Sequence, residues 1–221
     1  MRRLTVGNPP SAGYNSPTVD LQTARAIENQ RMNFPNRLTL ARLVLTVFFL
    51  AAMFWHTPFN DTIALLLFSL AGLTDYYDGK IARRDKLITN FGTLMDPLAD
   101  KILTCSAFIA FVGRGTVPAW MAIIIVGREL AITGLRLLAA TKNVVLAAEG
   151  YGKHKTVSQI VAIIVLLVAD SYDEWGAQAA HFCQPWVPPL ARVALWVTVT
   201  LTFTSGMLYL WRNRQLYLSD M

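Results

Sequence analysis

A succession of six apolar segments, separated by short polar connections, constrains this chain more than any other feature. A soluble domain normally carries about 25% charged residues, whereas this chain carries 15% and is 54% hydrophobic. About 18–20 helical residues cross the hydrocarbon core of a bilayer, where backbone groups must hydrogen-bond internally. We therefore predict an all-α, polytopic membrane protein with six transmembrane helices. The apolar segments are roughly Leu38–Trp55, Thr62–Tyr77, Leu98–Val112, Val117–Ala140, Thr156–Ala169 and Val187–Trp211.

The distribution of basic residues predicts the orientation of these helices. Lys and Arg occur in the N-terminal arm, the second and fourth connections and the tail, but not in the first or fifth connection. The positive-inside rule then places both termini and the second and fourth connections in the cytoplasm. This spread argues against a nucleic-acid partner, despite the net charge of +6. We divide the chain into a partly mobile arm (1–32), a transmembrane catalytic domain (33–214) and a tail (215–221).

Two pairs of aspartates flank the second connection. Asp75 and Asp78 are three residues apart, and Asp96 and Asp100 are four apart. Each pair therefore falls on one face of its helix. A turn around Asp85–Asn90 would make the helices antiparallel, so that the two acidic faces meet in one cleft. Four carboxylates would lose several kcal/mol to repulsion and desolvation unless cations lay among them.

Oxygen-preferring divalent ions are the natural counter-ions for such a cleft. Mg²⁺ or Mn²⁺ fits best, with Ca²⁺ as a third choice. Zinc is disfavoured because the stretch lacks cysteine and His154 is distant in sequence. Two ions about 4 Å apart can clamp the attacking and leaving oxygens of a phosphoryl transfer. The alternative interpretation is a solvated, charged loop between two helices.

The residues from Asp75 to Asp100 follow the pattern D-x2-D-G-x2-A-R-x8-G-x3-D-x3-D. This string resembles the complete signature of the CDP-alcohol phosphotransferase family. The resemblance implies a six-helix membrane fold, usually dimeric, with a site for two metal ions that opens to the cytoplasm. It also implies that an acceptor alcohol attacks the lipid-bearing phosphorus of a CDP-linked lipid and that CMP leaves.

The same resemblance implies roles for individual residues. Asp100 would also help to deprotonate the acceptor alcohol, because a bound metal acidifies that alcohol. The implied metal ligands are Asp75, Asp78, Asp96 and Asp100. The residues expected to contact the nucleotide of the CDP-lipid are Gly79, Ala82 and Arg83.

Basic residues in the fourth and fifth segments suggest an anionic acceptor. Arg128 and Arg136 are eight residues apart, so they differ by about 80° around a helix and can face one cavity. Lys153 and Lys155 open the fifth helix from the same side. Four cations would suit an acceptor phosphate. The alternatives are that Arg128 forms an ion pair that only holds helices together, for example with Glu129, and that the other three snorkel or mark topology.

Several segments are similar to one branch of the family, the phosphatidylglycerophosphate synthases. They are "NFPNRLTLARLVL", "GREL", "TGLRLLAA" and "GKHKT", within Asn33–Ala169. The similarity implies a homodimer in a bacterial inner membrane that converts CDP-diacylglycerol and sn-glycerol 3-phosphate to phosphatidylglycerophosphate and CMP. It adds Asn36, Thr39 and Arg42 to the CDP-lipid site.

Other functions stay open at this point. The acceptor could be inositol phosphate, serine or phosphatidylglycerol. The acidic residues could instead serve a cation transporter, although no acidic path leads to the opposite face. A scaffold or lipid-binding protein without chemistry would tolerate replacement of Asp96 and Asp100 by asparagine.

Overall fold

The fold is described from a computed structural model. It describes residues 34–218 except 56, 86–89 and 143–150. Within the helices, the side chains of 34–38, 75–85, 90–97, 100, 151–154 and 217–218 are also outside the described part. The predicted arm (1–32) therefore lies outside the described residues.

Helices account for nearly all of the described backbone, which contains no strand, so the all-α prediction is confirmed. The third and fifth long helices, Asn90–Gly113 and Tyr151–Ser171, begin eight and five residues before the corresponding apolar segments, and the second continues to Asp85. A 3₁₀ turn, Tyr172–Trp175, follows the fifth long helix directly. The helices are α1 (Phe34–Phe54), α2 (Asn60–Asp85), α3 (Asn90–Gly113), α4 (Ala119–Thr141), α5 (Tyr151–Ser171), α6 (Ala177–Cys183), α7 (Val187–Arg212) and α8 (Arg214–Leu218).

Two helical stretches among the described residues are long and apolar enough to cross a membrane. They are Lys155–Trp175 and Val187–Arg212. Shorter apolar stretches cover Thr39–Phe54, Asn60–Thr74 and Lys101–Gly113. Helix α4 has 23 residues, but it also carries two arginines and a glutamate. The count of six crossings stays a prediction.

The apolar core joins all six long helices. Helix α1 packs against α2 and α3, α5 packs against α2 and α7, and α4 packs against α3 and α7. Phe49 and Phe68 are buried with their ring centroids 5.6 Å apart, and Phe108 and Ile163 are fully buried in the same cluster. Many large apolar side chains nevertheless point outward along the helices. Such a surface suits lipid or another protein rather than water.

At one end of the bundle, an arginine joins three helices. The Arg114 guanidinium, just beyond α3, makes a two-pronged contact with the Asp61 carboxylate on α2, and its Nη2 lies 3.0 Å from Oδ2. Asp170 on α5 lies 3.7 Å from the same guanidinium. Arg114 also lies 3.8 Å from the sulfur of Met53 on α1. The hydrogen bond to Asp61 raises the pKa of Arg114 above its ordinary value, although burial opposes this.

Glu174 extends this network by capping α2. Its carboxylate accepts hydrogen bonds from the backbone N–H groups of Asp61 (3.0 Å) and Thr62 (2.8 Å) and from the Thr62 hydroxyl (2.6 Å). A carboxylate is favoured there because the first turn of a helix has unpaired N–H groups and a positive dipole end. Trp175 donates its indole N–H to the same hydroxyl. We call Asp61, Arg114, Asp170 and Glu174 the far-end cluster.

Candidate functional site

The far-end cluster provides a reference level from which the predicted site residues can be located. Fourteen residues separate Met53 from Thr39 on α1, and fourteen separate Asp61 from Asp75 on α2. At 1.5 Å per residue, each interval is about 21 Å along its helix. Both candidate residues therefore lie at one level, far from the cluster.

The same count applies to α3 and α5. Fourteen residues separate Arg114 from Asp100, and fifteen separate Asp170 from Lys155. These intervals correspond to about 21 and 22 Å along the helices. Four helices thus carry candidate site residues at a common level, which we call the site level.

The acidic pairs occupy helical backbone, as their spacing predicted. Asp75 and Asp78 lie in the last three turns of α2, and Asp96 and Asp100 lie in the first three turns of α3. The positions of their side chains are outside the described part of the structure, as are those of Gly79, Ala82 and Arg83. Among the side chains that are described, no group of three or more acidic, histidine or cysteine residues could hold a metal ion.

Helix α1 contributes two buried polar side chains near the site level. Thr39 is 1% exposed and Arg42 is fully buried. A buried guanidinium requires anionic partners. Helix α1 packs against both α2 and α3, the two helices that carry the acidic pairs. Asn36 lies in the first turn of α1, and its side chain is not among those described.

Three charged side chains meet between α4 and α5. The Lys155 ammonium contacts the Glu129 carboxylate, and Nη1 of Arg128 lies 3.5 Å from the same carboxylate oxygen. The lysine and glutamate side chains are 4% and 8% exposed. The structure therefore brings two of the predicted phosphate ligands together on one carboxylate. The side chain of Lys153 lies outside the described residues.

A third cation, which the sequence interpretation missed, lies beside this group. Lys101, next to Asp100, donates from its ammonium to the Thr133 hydroxyl on α4. That hydroxyl donates in turn to the backbone carbonyl of Glu129 (2.8 Å). The sequence did contain one indication of this role for Lys101. The lysine follows Asp100 directly and lies near the start of an apolar segment, where a lysine is unexpected.

Arg136 is separate from this group. Its guanidinium lies 5.9 Å from the ring centroid of Tyr209 on α7, and the side chain is exposed. Arg128 also faces α7, where its Cγ is so close to Gly206 that a Cβ at that position would lie 2.7 Å away. An apolar groove of about 260 Å³ runs beside this contact. Arg128 and Arg136 thus both approach α7, but only Arg128 contacts Glu129.

A family model described as CDP-alcohol phosphatidyltransferase matches residues 32–204. The chain belongs to the CDP-alcohol phosphatidyltransferase family. The match includes the whole string from Asp75 to Asp100 and all six long helices except the last turns of α7. The resemblance noted from the sequence is therefore confirmed at the level of the family.

Curated members of the CDP-alcohol phosphatidyltransferase family align over most of the chain. The protein of Bacillus subtilis (strain 168) named CDP-diacylglycerol--glycerol-3-phosphate 3-phosphatidyltransferase is 40% identical over 193 residues, covering 82% of this chain and 95% of the relative. Proteins of the same name from Rickettsia bellii and Cereibacter sphaeroides are each 30% identical. They cover 80% and 85% of this chain, and 93% and 98% of their own lengths.

Proposed function

We propose that this protein transfers the phosphatidyl group of CDP-diacylglycerol to sn-glycerol 3-phosphate, giving phosphatidylglycerophosphate and CMP. In the balanced step, the acceptor hydroxyl oxygen bonds to the lipid-bearing phosphorus. The bond from that phosphorus to the oxygen bridging to CMP breaks, and CMP leaves with that oxygen. The hydroxyl proton passes to Asp100.

One observation carries this proposal. The acidic pairs of the family signature and the cations Lys155 and Arg128 occur at the same level of one helical bundle. A site that joins a pyrophosphate to a phosphorylated alcohol needs both features, because metal ions must balance one substrate and basic side chains the other. The names of the relatives agree with this pairing.

The donor set of α2 and α3 fits hard divalent cations. Four carboxylates on two helical faces, without sulfur or imidazole among them, match the oxygen ligands that Mg²⁺ and Mn²⁺ prefer. We propose that Asp75, Asp78, Asp96 and Asp100 hold two such ions. When bound, the ions would supply charge stabilisation at the attacking and leaving oxygens. Gly79, Ala82 and Arg83, together with Asn36, Thr39 and Arg42 of α1, are proposed to bind the CDP-lipid.

The described cations support a phosphorylated acceptor. Among these four described side chains, Lys101, Arg128 and Lys155 carry three positive charges and Glu129 carries one negative charge, so that cations outnumber anions by two (3 − 1). A phosphate monoester carries about −1.5 to −2 at neutral pH. The group therefore complements a phosphate monoester, such as glycerol 3-phosphate or inositol phosphate, better than zwitterionic serine, and the acceptor panel below separates the two phosphates. Lys153 and Arg136 are proposed to extend the pocket toward the cytoplasm.

We propose that the six long helices α1–α5 and α7 cross the bacterial inner membrane, with the site level toward the cytoplasm. The two long apolar stretches and the three shorter ones support five of these crossings. Helix α4 is of sufficient length, and the contacts of Glu129 with Lys155 and Arg128 offset the charges within it.

A homodimer is proposed from the outward face of α4. Ile123, Leu130 and Leu137 are 68%, 68% and 63% exposed and recur every seven residues. Gly127 and Gly134 alternate with them in a 4-3-4-3 pattern, and a Cβ on either glycine would meet no described atom within 4 Å. Alternating small and large residues let membrane helices approach closely.

An acceptor panel with purified protein tests the proposed function. CDP-diacylglycerol in detergent with Mg²⁺ or Mn²⁺ should release CMP fastest with glycerol 3-phosphate, and chelation should stop the release. Faster release with inositol phosphate, serine or phosphatidylglycerol would reject the acceptor. Asp96→Asn and Asp100→Asn should each lower turnover at least about 100-fold, because each removes part of a charge-stabilising clamp.

A matched substitution controls for the loss of charge. Asp173 is an exposed aspartate of the 3₁₀ turn, far from the site level. Asp173→Asn should retain full turnover and the same thermal midpoint. Near-normal turnover in both Asp96→Asn and Asp100→Asn would refute the proposed chemistry.

A further inference from the structure

The buried contacts of Glu129 on α4 point to a role for this residue beside the proposed phosphate ligands. Its carboxylate is 8% exposed and lies against Lys155 of α5 and Arg128 of its own helix. We infer that Glu129 is a positioning residue that arranges Lys155 and Arg128 for the acceptor phosphate. This inference rests on the proposed function.

The contact holds together two side chains that carry the same charge. Lysine and arginine side chains each lose up to about 2 kcal/mol of rotamer freedom when they are fixed. The positive charges of Lys155 and Arg128 also repel each other, because both lie against the same carboxylate oxygen. A single carboxylate between Lys155 and Arg128 offsets both effects before the acceptor arrives. Both cations then lie against one carboxylate oxygen, so that they are close enough to bind one phosphate together.

Glu129 is itself held in place by its own helix and by α3. The Thr133 hydroxyl donates to the Glu129 carbonyl and accepts from Lys101. This chain of contacts links α3, α4 and α5 at one level. The Lys155 and Arg128 positions are therefore coupled, through Glu129, to the helix that carries Asp96 and Asp100.

Removing the carboxylate should not simply strengthen phosphate binding. Lys155 is only 4% exposed, and weakening the counter-charge of a buried ammonium favours loss of its proton or a change in its position. Glu129→Gln removes the carboxylate that this ammonium contacts, so the gain in net positive charge is offset in part. The arrangement of Lys155 and Arg128 around one carboxylate oxygen is lost.

Steady-state kinetics of Glu129→Gln test the inference. We expect the KM for glycerol 3-phosphate to rise about tenfold or more, while the KM for CDP-diacylglycerol stays within about twofold of the wild-type value. Glu129→Asp keeps the charge but shortens the side chain, so it should raise the acceptor KM by a smaller factor. An unchanged or lower acceptor KM in either variant would overturn the inference, and Glu129→Asp decides the matter if Glu129→Gln does not fold.

Glu174→Gln is the matched control. Glu174 is also a helix-bridging glutamate, but it belongs to the far-end cluster. Its replacement should lower the thermal midpoint without changing the KM for glycerol 3-phosphate. A wild-type protein that does not use glycerol 3-phosphate would reject the proposed function. A wild-type enzyme that does use it, with an unaltered acceptor KM in the Glu129 variants, would reject only the positioning role.

Discussion

Because α7 lies close to Arg128, adding a single methyl group at Gly206 should change acceptor kinetics or stability measurably. A Cβ on Gly206 would lie 2.7 Å from Cγ and 3.7 Å from Cβ of Arg128. Carbon atoms in contact normally lie about 3.5–4.0 Å apart. Gly206→Ala therefore requires the two atoms to separate by about 1 Å, either by moving the Arg128 side chain or by moving α7 away from α4.

The expected cost follows from comparable insertions into packed interiors, which destabilise by about 1–3 kcal/mol. If Arg128 moves, the cost falls on acceptor binding, and kcat/KM for glycerol 3-phosphate drops by about 5- to 150-fold. If the helices separate instead, the same free energy lowers the thermal midpoint by about 2–12 °C. Measuring both quantities distinguishes the two responses.

Gly72→Ala provides the matched control. Gly72 lies inside α2, and a Cβ there would meet no described atom within 4 Å. Both substitutions gain helix propensity, up to about 1 kcal/mol, so the difference between the two variants isolates the contact with Arg128. If Gly206→Ala matches Gly72→Ala in kcat/KM and in thermal midpoint, the packing described between α4 and α7 is wrong.

Two further predictions concern the far-end cluster and the outward face of α4. Arg114→Ala should lower the thermal midpoint by about 5–10 °C, because it leaves Asp61 and Asp170 without their shared, partly buried cation; Arg192→Ala, at an exposed site on α7, should not. Because the pKa of Arg114 is raised, its contribution is lost only as pH rises through that raised pKa. The midpoint gap should therefore not narrow between pH 7 and pH 9, and a gap that narrows at pH 9 contradicts this. Leu130→Arg should give a monomer by light scattering in detergent while Leu190→Arg stays dimeric, and a dimer in both removes α4 as the interface.

The positions of the long helices were predictable because lipid and a packed core both require continuous apolar surface. The predicted segment Val187–Trp211 differs from α7 by one residue at its C-terminal end. The apolar segment stopped at Tyr77, whereas α2 continues to Asp85, where the turn around Asp85–Asn90 was predicted to begin. Hydropathy finds the part of a helix that is apolar, but charged residues do not end a helix that has left the apolar layer.

The connection Asp170–Pro189 had no predicted role, and its structure explains why. Its Glu174 caps α2 through Asp61 and Thr62, more than 110 residues earlier in the chain. Asp61, Asp170 and Glu174 lie together there through contacts between distant segments. A helix cap supplied from a distant segment leaves no periodic pattern in either segment, so sequence reasoning could not find it.

The candidate site, too, was predictable from the sequence only in part. The spacing of the aspartates predicted helical faces, and the helices contain them as expected. The cations required tertiary structure, because Lys155 meets Glu129 across 26 residues and Lys101 meets Thr133 across 32. Local spacing predicted that Arg128 and Arg136 can face one cavity; both approach α7, where the Arg136 guanidinium lies over the Tyr209 ring. Metal ligation by the four aspartates stays a prediction.

The position of the far-end cluster has a mechanical consequence. Hydrogen bonds and an ion pair of the far-end cluster hold the start of α2, about 21 Å from Asp75. Tilting α2 by about 5° about this point would displace its backbone at Asp75 by about 2 Å, as in small shear motions of packed helices. The position of Asp75 therefore responds to a small change of tilt that leaves the described contacts of the far-end cluster intact.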